Sequence, residues 1–147
     1  MSAREYTVAI AGATGVVGGT VRTILEERDF PVAELRALAS ERSEGRRLPF
    51  KGDEVEVRRL GADAFAGVDL AFFAAGGDVS REFVAAAVDA GAIVVDKSSA
   101  FRGDPEVPLV VPEVNPEHLD AHKGLIATPN CSTIQDRKST RLNSSHR

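Results

Sequence analysis

Thr7-Val8-Ala9-Ile10-Ala11-Gly12-Ala13-Thr14-Gly15-Val16-Val17-Gly18 decides the reading of this chain. A short apolar run ends in a glycine, the pattern of a strand buried on both faces of a parallel sheet. Gly12, Gly15 and Gly18 then open a helical stretch, with GxxGxxG spacing rather than GxGxxG. In a strand–loop–helix unit the first glycine permits a tight turn. The second lets the backbone approach a pyrophosphate at the helix N-terminus, and the third lets helix and strand pack closely. A glycine-rich turn with no ligand is the plainer alternative. The strand before the loop and the helix after it favour dinucleotide binding.

Working outward, the spacing predicts a helix over residues 16–28. Val17, Val21, Ile24, Leu25 and Arg28 share a face, and the first four are expected to bury it. Gly19 inside it costs ~1 kcal/mol against alanine. Pro31 ends the helical stretch, and residues 35–39 form a second strand. Residues 55–59 alternate apolar and charged side chains, which predicts a half-exposed or edge strand. Residues 68–74 are a third apolar run, ending at Gly76-Gly77. Asp78 or Ser80 is expected to cap the next helix, with Val84, Ala87, Val88 and Gly91 as its packed stripe. Residues 93–95 form a buried strand that ends at Asp96. A short strand at 109–111, a short helix over 116–122 and a last strand at 125–127 complete the pattern. Strands alternating with helices give an α/β, Rossmann-like fold: a mostly parallel sheet with helices on both faces.

The 147 residues allow one domain with a real core, and 43% hydrophobic and 27% charged residues are ordinary for a globular protein. The net charge of −4 and the lack of a basic stripe in the first 135 residues argue against a nucleic-acid partner. No apolar run approaches the ~20 residues that span a bilayer, so no membrane partner is expected. One cysteine cannot form an internal disulfide, which fits a reducing cytoplasm. The opening Met1-Ser2-Ala3-Arg4-Glu5 has none of the features of a secretory signal. The domain is expected over residues 1–135. Residues 136–147, DRKSTRLNSSHR, break with the Ala-, Val- and Gly-rich sequence before them. They resemble translated adapter sequence, so a non-native tail is expected; a disordered polar terminus is the alternative.

Candidate site residues cluster at the predicted strand ends. An NAD-type site usually closes its second strand with an acid that holds the ribose diol. Here that strand ends in Ala39-Ser40, and Glu41 lies a step later. Ser40, Arg42 and Ser43 suit a 2′-phosphate instead, which favours NADP; an exposed polar loop is the alternative. Arg46 and Arg47 read as solvated charges. Gly76 and Gly77 sit where open α/β sheets bind ligands, and a cofactor-facing loop is favoured there over a simple turn. Arg102, in Asp96-Lys97-Ser98-Ser99-Ala100-Phe101-Arg102, has the fork geometry for a carboxylate or phosphate, although spacing alone favours a surface or structural arginine. Cys131, in Pro129-Asn130-Cys131-Ser132-Thr133, follows the last strand. A helix N-terminus there would favour thiolate, whereas a lone cysteine is more often inert packing. Asn130 either orients the thiol or an oxyanion, or is a turn residue. His118 and His122 lack a third ligand, so no metal site is expected.

Taken together, these segments and Val111-Pro112-Glu113-Val114-Asn115 resemble bacterial aspartate-semialdehyde dehydrogenase from about residue 6 to residue 135. The glycine loop alone is shared by many reductases; the cysteine segment combined with residues 96–102 is more specific. The resemblance implies NADPH-dependent reduction of aspartyl β-phosphate to aspartate β-semialdehyde, with phosphate released, feeding lysine, threonine, methionine and diaminopimelate synthesis. It implies Cys131 as the nucleophile, Arg102 as the ligand of the substrate phosphate, and Thr14, Gly15, Val16, Val17, Arg42 and Ser43 as cofactor contacts. Members run to more than twice this length. The expectation is therefore an N-terminal portion without the acid/base histidine and the C-terminal substrate and dimerisation domain, inactive by itself and belonging to a homodimer or homotetramer. N-acetyl-γ-glutamyl-phosphate reductase is the nearest rival, but its glycine loop usually carries an aromatic where this chain has Val16-Val17. A non-catalytic nucleotide-binding module is the reading from another class.

Overall fold

A computed structural model describes residues 5–98, 100–101 and 124–127. Arg102, His118, His122, Asn130, Cys131, the elements expected at 109–111 and 116–122, and the tail lie outside the described residues. The chain runs β1 (Tyr6–Ala11), α1 (Val16–Glu27), β2 (Val32–Ala39), β3 (Arg47–Phe50), β4 (Asp53–Arg59), β5 (Leu70–Phe73), α2 (Gly77–Asp89), β6 (Ile93–Asp96) and β7 (Leu125–Ala127). Single 3-10 turns lie at Glu41–Ser43 and Ala62–Phe65. The strands form one sheet in the order β3-β4-β2-β1-β5-β6-β7. Every pairing is parallel except β3 with β4. The fold is the mostly parallel, Rossmann-like sheet expected from the sequence.

The central strand shows why both faces need a cover. Val8 and Ile10 pack into one apolar cluster with Val21 and Leu25 of α1. Ala9 and Ala11, pointing the other way, pack with Val84 and Ala87 of α2 and with Phe65. A strand alternates its side chains between faces, so a strand apolar at every position must have a helix on each side. Phe65 and Phe73, both fully buried, stack with ring centroids 5.5 Å apart beneath α2. Each buried phenyl contributes about 1.5–3 kcal/mol of transfer free energy.

Three expectations need correction. The buried stripe of α1 is Gly18, Val21 and Leu25, while Val17 and Ile24 are 39% and 43% exposed. The close seating of Gly18 described below sets the helix phase and turns those two side chains outward. The cap of α2 is Gly76, with no side-chain cap, rather than Asp78 or Ser80. Ser80 is instead fully buried, and its hydroxyl is used across the fold. β2 begins at Val32, three residues earlier than the apolar run suggests. Of the two alternatives for residues 55–59 the half-exposed strand holds, with Val57 buried between exposed charged residues, and β3 pairs outside β4 in an antiparallel hairpin. Pro49 and two charged neighbours hide β3 from a hydrophobicity reading, yet proline is tolerated at a sheet edge. The hairpin turns on Lys51-Gly52, with φ of 51° and 84°, the left-handed pair a two-residue turn requires. The Lys51 ammonium donates to Phe30 O at 2.6 Å, and its backbone amide donates to the Glu26 carboxylate. These bonds tie the hairpin tip to the end of α1. Among the described residues no helix is long and apolar enough to cross a membrane.

Candidate functional site

The parallel strands end along one edge, and the chain's strand order reverses there between β1 and β5. In open α/β sheets that reversal leaves a crevice. Gly12 begins the loop after β1 with φ 90°, a conformation that an L side chain resists. A Cβ on Gly12 would also stand 2.8 Å from the Ala74 carbonyl, so glycine lets β1 and β5 converge at the mouth of the crevice. Its amide and that of Ala13 donate to Leu38 O at 2.8 and 3.1 Å, fixing the loop to the end of β2. A Cβ on Gly18 would meet Gly12 O at 2.1 Å. The helix therefore lies directly on the loop, and the close contact is with the loop's first glycine.

Helix α1 presents its N-terminus to this edge. Its first intrahelical bond runs from Gly19 N–H to Gly15 O, leaving the amides of Val16, Val17 and Gly18 without an intrahelical partner, as at any helix start. No side chain caps it and no acid stands in its first turn. Open amides with the positive end of the helix dipole fit an anion such as a pyrophosphate.

A cleft of about 420 Å³ opens beside the loop. Gly12, Thr14 and Gly15 form its floor, Ala39, Ser40 and Glu41 its β2 side, and Ala74 and Ala75 its β5 side. Arg59 and Leu60 close it from β4, with Val79 and Phe83 of α2 opposite. The Thr14 hydroxyl donates to Ser43 Oγ at 3.4 Å, joining the glycine loop to the loop after β2. Of the residues singled out from sequence, Gly12, Thr14, Gly15 and Ser40 line the cleft, and Ser43 buttresses it. Val16, Val17, Arg42, Gly76 and Gly77 do not line it, and Val16 is 88% exposed. Sequence reasoning missed Arg59, Leu60, Val79 and Phe83. The only local signal for the last two was their i,i+4 spacing on α2, which reads equally as packing.

A second polar group sits at the end of β6. Asp96 and Ser80 are fully buried, and Ser98 nearly so. Asp96 Oδ1 accepts from Ser80 Oγ at 2.8 Å and from the Ser98 amide at 2.9 Å. Ser98 Oγ lies 2.9 Å from Asp96 Oδ2 and 3.1 Å from Ser80 Oγ, and accepts from the Ala100 amide at 3.2 Å. Three strand-end and helix groups thus fix the start of the segment that leads to Arg102. Buried polar groups satisfied in this way specify one local structure.

The family described as "Semialdehyde dehydrogenase, NAD binding domain" matches residues 7–122. A relative from Aquifex aeolicus, an aspartate-semialdehyde dehydrogenase, is 56% identical over 133 residues, covering 88% of this chain and 39% of its own length. The solved structure of aspartate semialdehyde dehydrogenase II from Vibrio cholerae, complexed with ASA, superposes with a TM-score of 0.84 at 47% identity. It covers 90% of this chain and 44% of that one. The aspartate semialdehyde dehydrogenase of Candida albicans, solved with NADP, gives 0.72 at 28% identity, covering 89% of this chain and 44% of that one. The chain thus spans about two fifths of the length of these relatives. By its matched residues and its fold, this chain belongs to the semialdehyde dehydrogenase NAD-binding domain family.

Proposed function

We propose that the cleft binds NADP and that the chain carries the nucleotide-binding and acyl-transfer parts of the reduction of aspartyl β-phosphate to aspartate β-semialdehyde. The observation that carries this reading is the convergence of two separate loops on one cleft, with Thr14 of its lining bonded to Ser43 of the loop after β2. The Candida albicans relative's NADP supports the choice of cofactor. Gly12, Gly15 and the amides of Val16 and Val17 hold the pyrophosphate, while Ser40, Arg42 and Ser43 face the 2′-phosphate. Gly76 and Gly77 shape the edge beyond β5.

Cys131 is the nucleophile. Its thiolate attacks the acyl carbon, a C–S bond forms, the C–O bond to phosphate breaks, and phosphate leaves. Arg102 holds that phosphate with charge-assisted bonds, and Asn130 orients the thiol or the oxyanion. NADPH, when bound, supplies the hydride that takes the thioester to the aldehyde level. Collapse then breaks the C–S bond and returns the thiolate. We place this activity in the cytoplasm, in a homodimeric or homotetrameric enzyme. To this chain alone we assign nucleotide binding and acylation, without steady turnover.

The test is fluorescence titration of NADPH and NADH, with acetyl phosphate as an acylating probe read by mass spectrometry. NADPH is expected to bind more tightly than NADH, and Arg42→Ala to narrow the gap. Acetylation is expected at Cys131 and absent in Cys131→Ala, whose nucleotide affinity stays unchanged. Equal affinity for both nucleotides contradicts the cofactor assignment, and an unmodified Cys131 contradicts the acyl-transfer assignment. Steady NADPH formation from aspartate semialdehyde, phosphate and NADP would contradict the restriction to partial steps.

A further inference from the structure

Arg59 reaches the cleft from a strand with no part in the glycine loop or the loop after β2. It is the last residue of β4, and the sheet register places it beside Ala39, the last residue of β2. Its guanidinium lies 3.9 Å from the Glu41 carboxylate, and both residues line the cleft. Resting on the reading of the cleft as an NADP site, we infer that Arg59 is a specificity-determining residue that grips the 2′-phosphate, with Glu41 as its resting partner.

The argument turns on Glu41. An acid just past the second strand holds the ribose diol of NAD and repels a 2′-phosphate. Left alone, Glu41 would oppose the cofactor that Ser40, Arg42 and Ser43 suit. Arg59 offsets that charge and offers a planar fork of donors matched to phosphate. The pair is loose, with side chains 62% and 73% exposed. An ion pair this exposed contributes little and is readily exchanged. The arriving phosphate monoester carries more charge than a carboxylate, so the guanidinium gains by turning from Glu41 to it. Arg59 also borders a recess of about 320 Å³ with Arg36, Arg58 and Asp63. Arg36 is already held by Glu34 and by the Ala64 and Ala66 carbonyls, and among the arginines of the recess Arg59 is the one that also lines the nucleotide cleft.

The experiment is isothermal titration of the chain with 2′,5′-ADP and with 5′-AMP, which differ by the 2′-phosphate alone. Arg59→Ala is expected to weaken 2′,5′-ADP by about tenfold or more, the loss of one charge-assisted contact. 5′-AMP should change by less than about twofold, since it makes no such contact. Arg59→Lys should restore part of the loss, and Glu41→Gln should tighten 2′,5′-ADP without tightening 5′-AMP. Because the pair is exposed, the melting temperature of Arg59→Ala should match the wild type, so folding does not confuse the reading. An unchanged affinity for 2′,5′-ADP in Arg59→Ala, or an equal loss for both nucleotides, overturns the role of Arg59 and leaves the nucleotide site standing. A wild-type chain that binds neither nucleotide overturns both.

Discussion

Gly18→Ala is expected to destabilise the fold by about 3 kcal/mol or more and to remove nucleotide binding, while Gly19→Ala next to it stabilises by about 0.5–1 kcal/mol. The two residues share a helix and a propensity, so propensity alone predicts the same gain for both. Their surroundings differ. A Cβ at position 18 would stand 2.1 Å from Gly12 O, 2.9 Å from Gly12 C and 3.0 Å from the Ala13 Cα. All of these are backbone atoms, and Gly12 is itself wedged against the Ala74 carbonyl, so the loop cannot simply step aside. At position 19 nothing lies within 4 Å of the added methyl. Thermal or urea unfolding of both variants gives the sign directly. Tolerance of alanine at position 18 would mean that α1 does not sit on the loop as described.

Asp96→Ala is expected to cost about 3 kcal/mol, and Asp96→Asn about 1 kcal/mol. Alanine removes the acceptor for Ser80 Oγ, for the Ser98 amide and for Ser98 Oγ at once, and all three stay buried. Asparagine keeps Oδ1 for the first two. Its amide nitrogen can donate to Ser98 Oγ, which then turns its own proton to Ser80 Oγ, 3.1 Å away. Chemical denaturation separates the two variants. Equal losses would show that the network is not connected in this way. In the proposed reaction the same network positions the segment carrying Arg102, so Asp96→Ala should also weaken phosphate binding more than nucleotide binding.

The parts of the fold legible in sequence were those set by neighbours in the chain. β1, the glycine loop and the start of α1 follow from a five-residue apolar run and three glycines within 12 positions, because each requirement there is local. Which face α1 buries was not local. It depends on Gly18 seating against Gly12, and the apolar Val17 and Ile24 fit the helical period almost as well as Gly18 and Val21. β3 was hidden because its pairing with β4, not its own composition, makes it a strand. The cap of α2 was misread because Ser80 is a good capping residue by type, yet its hydroxyl serves Asp96, sixteen residues on. Arg59 illustrates the same limit at the site. In sequence it is only the last residue of an alternating apolar and charged stretch, with nothing to set it apart. Only the parallel register with β2 brings it to Ala39 and Glu41, and such register is a property of the whole sheet.

The central claim is that NADP lies on the glycine loop, in the cleft closed by β2, β4 and β5. The most direct measurement is an amide nitrogen–proton NMR titration of the 15.6 kDa chain with NADP. The account predicts saturable shifts for Gly12, Thr14, Gly15, Val16 and Val17, accompanied by Ser40, Glu41, Ser43, Arg59, Leu60 and Ala75. The outer hairpin at Lys51 and Gly52 should stay unmoved. Saturation with the glycine-loop amides unshifted, or with the largest shifts on β3 and the outer hairpin, would contradict it.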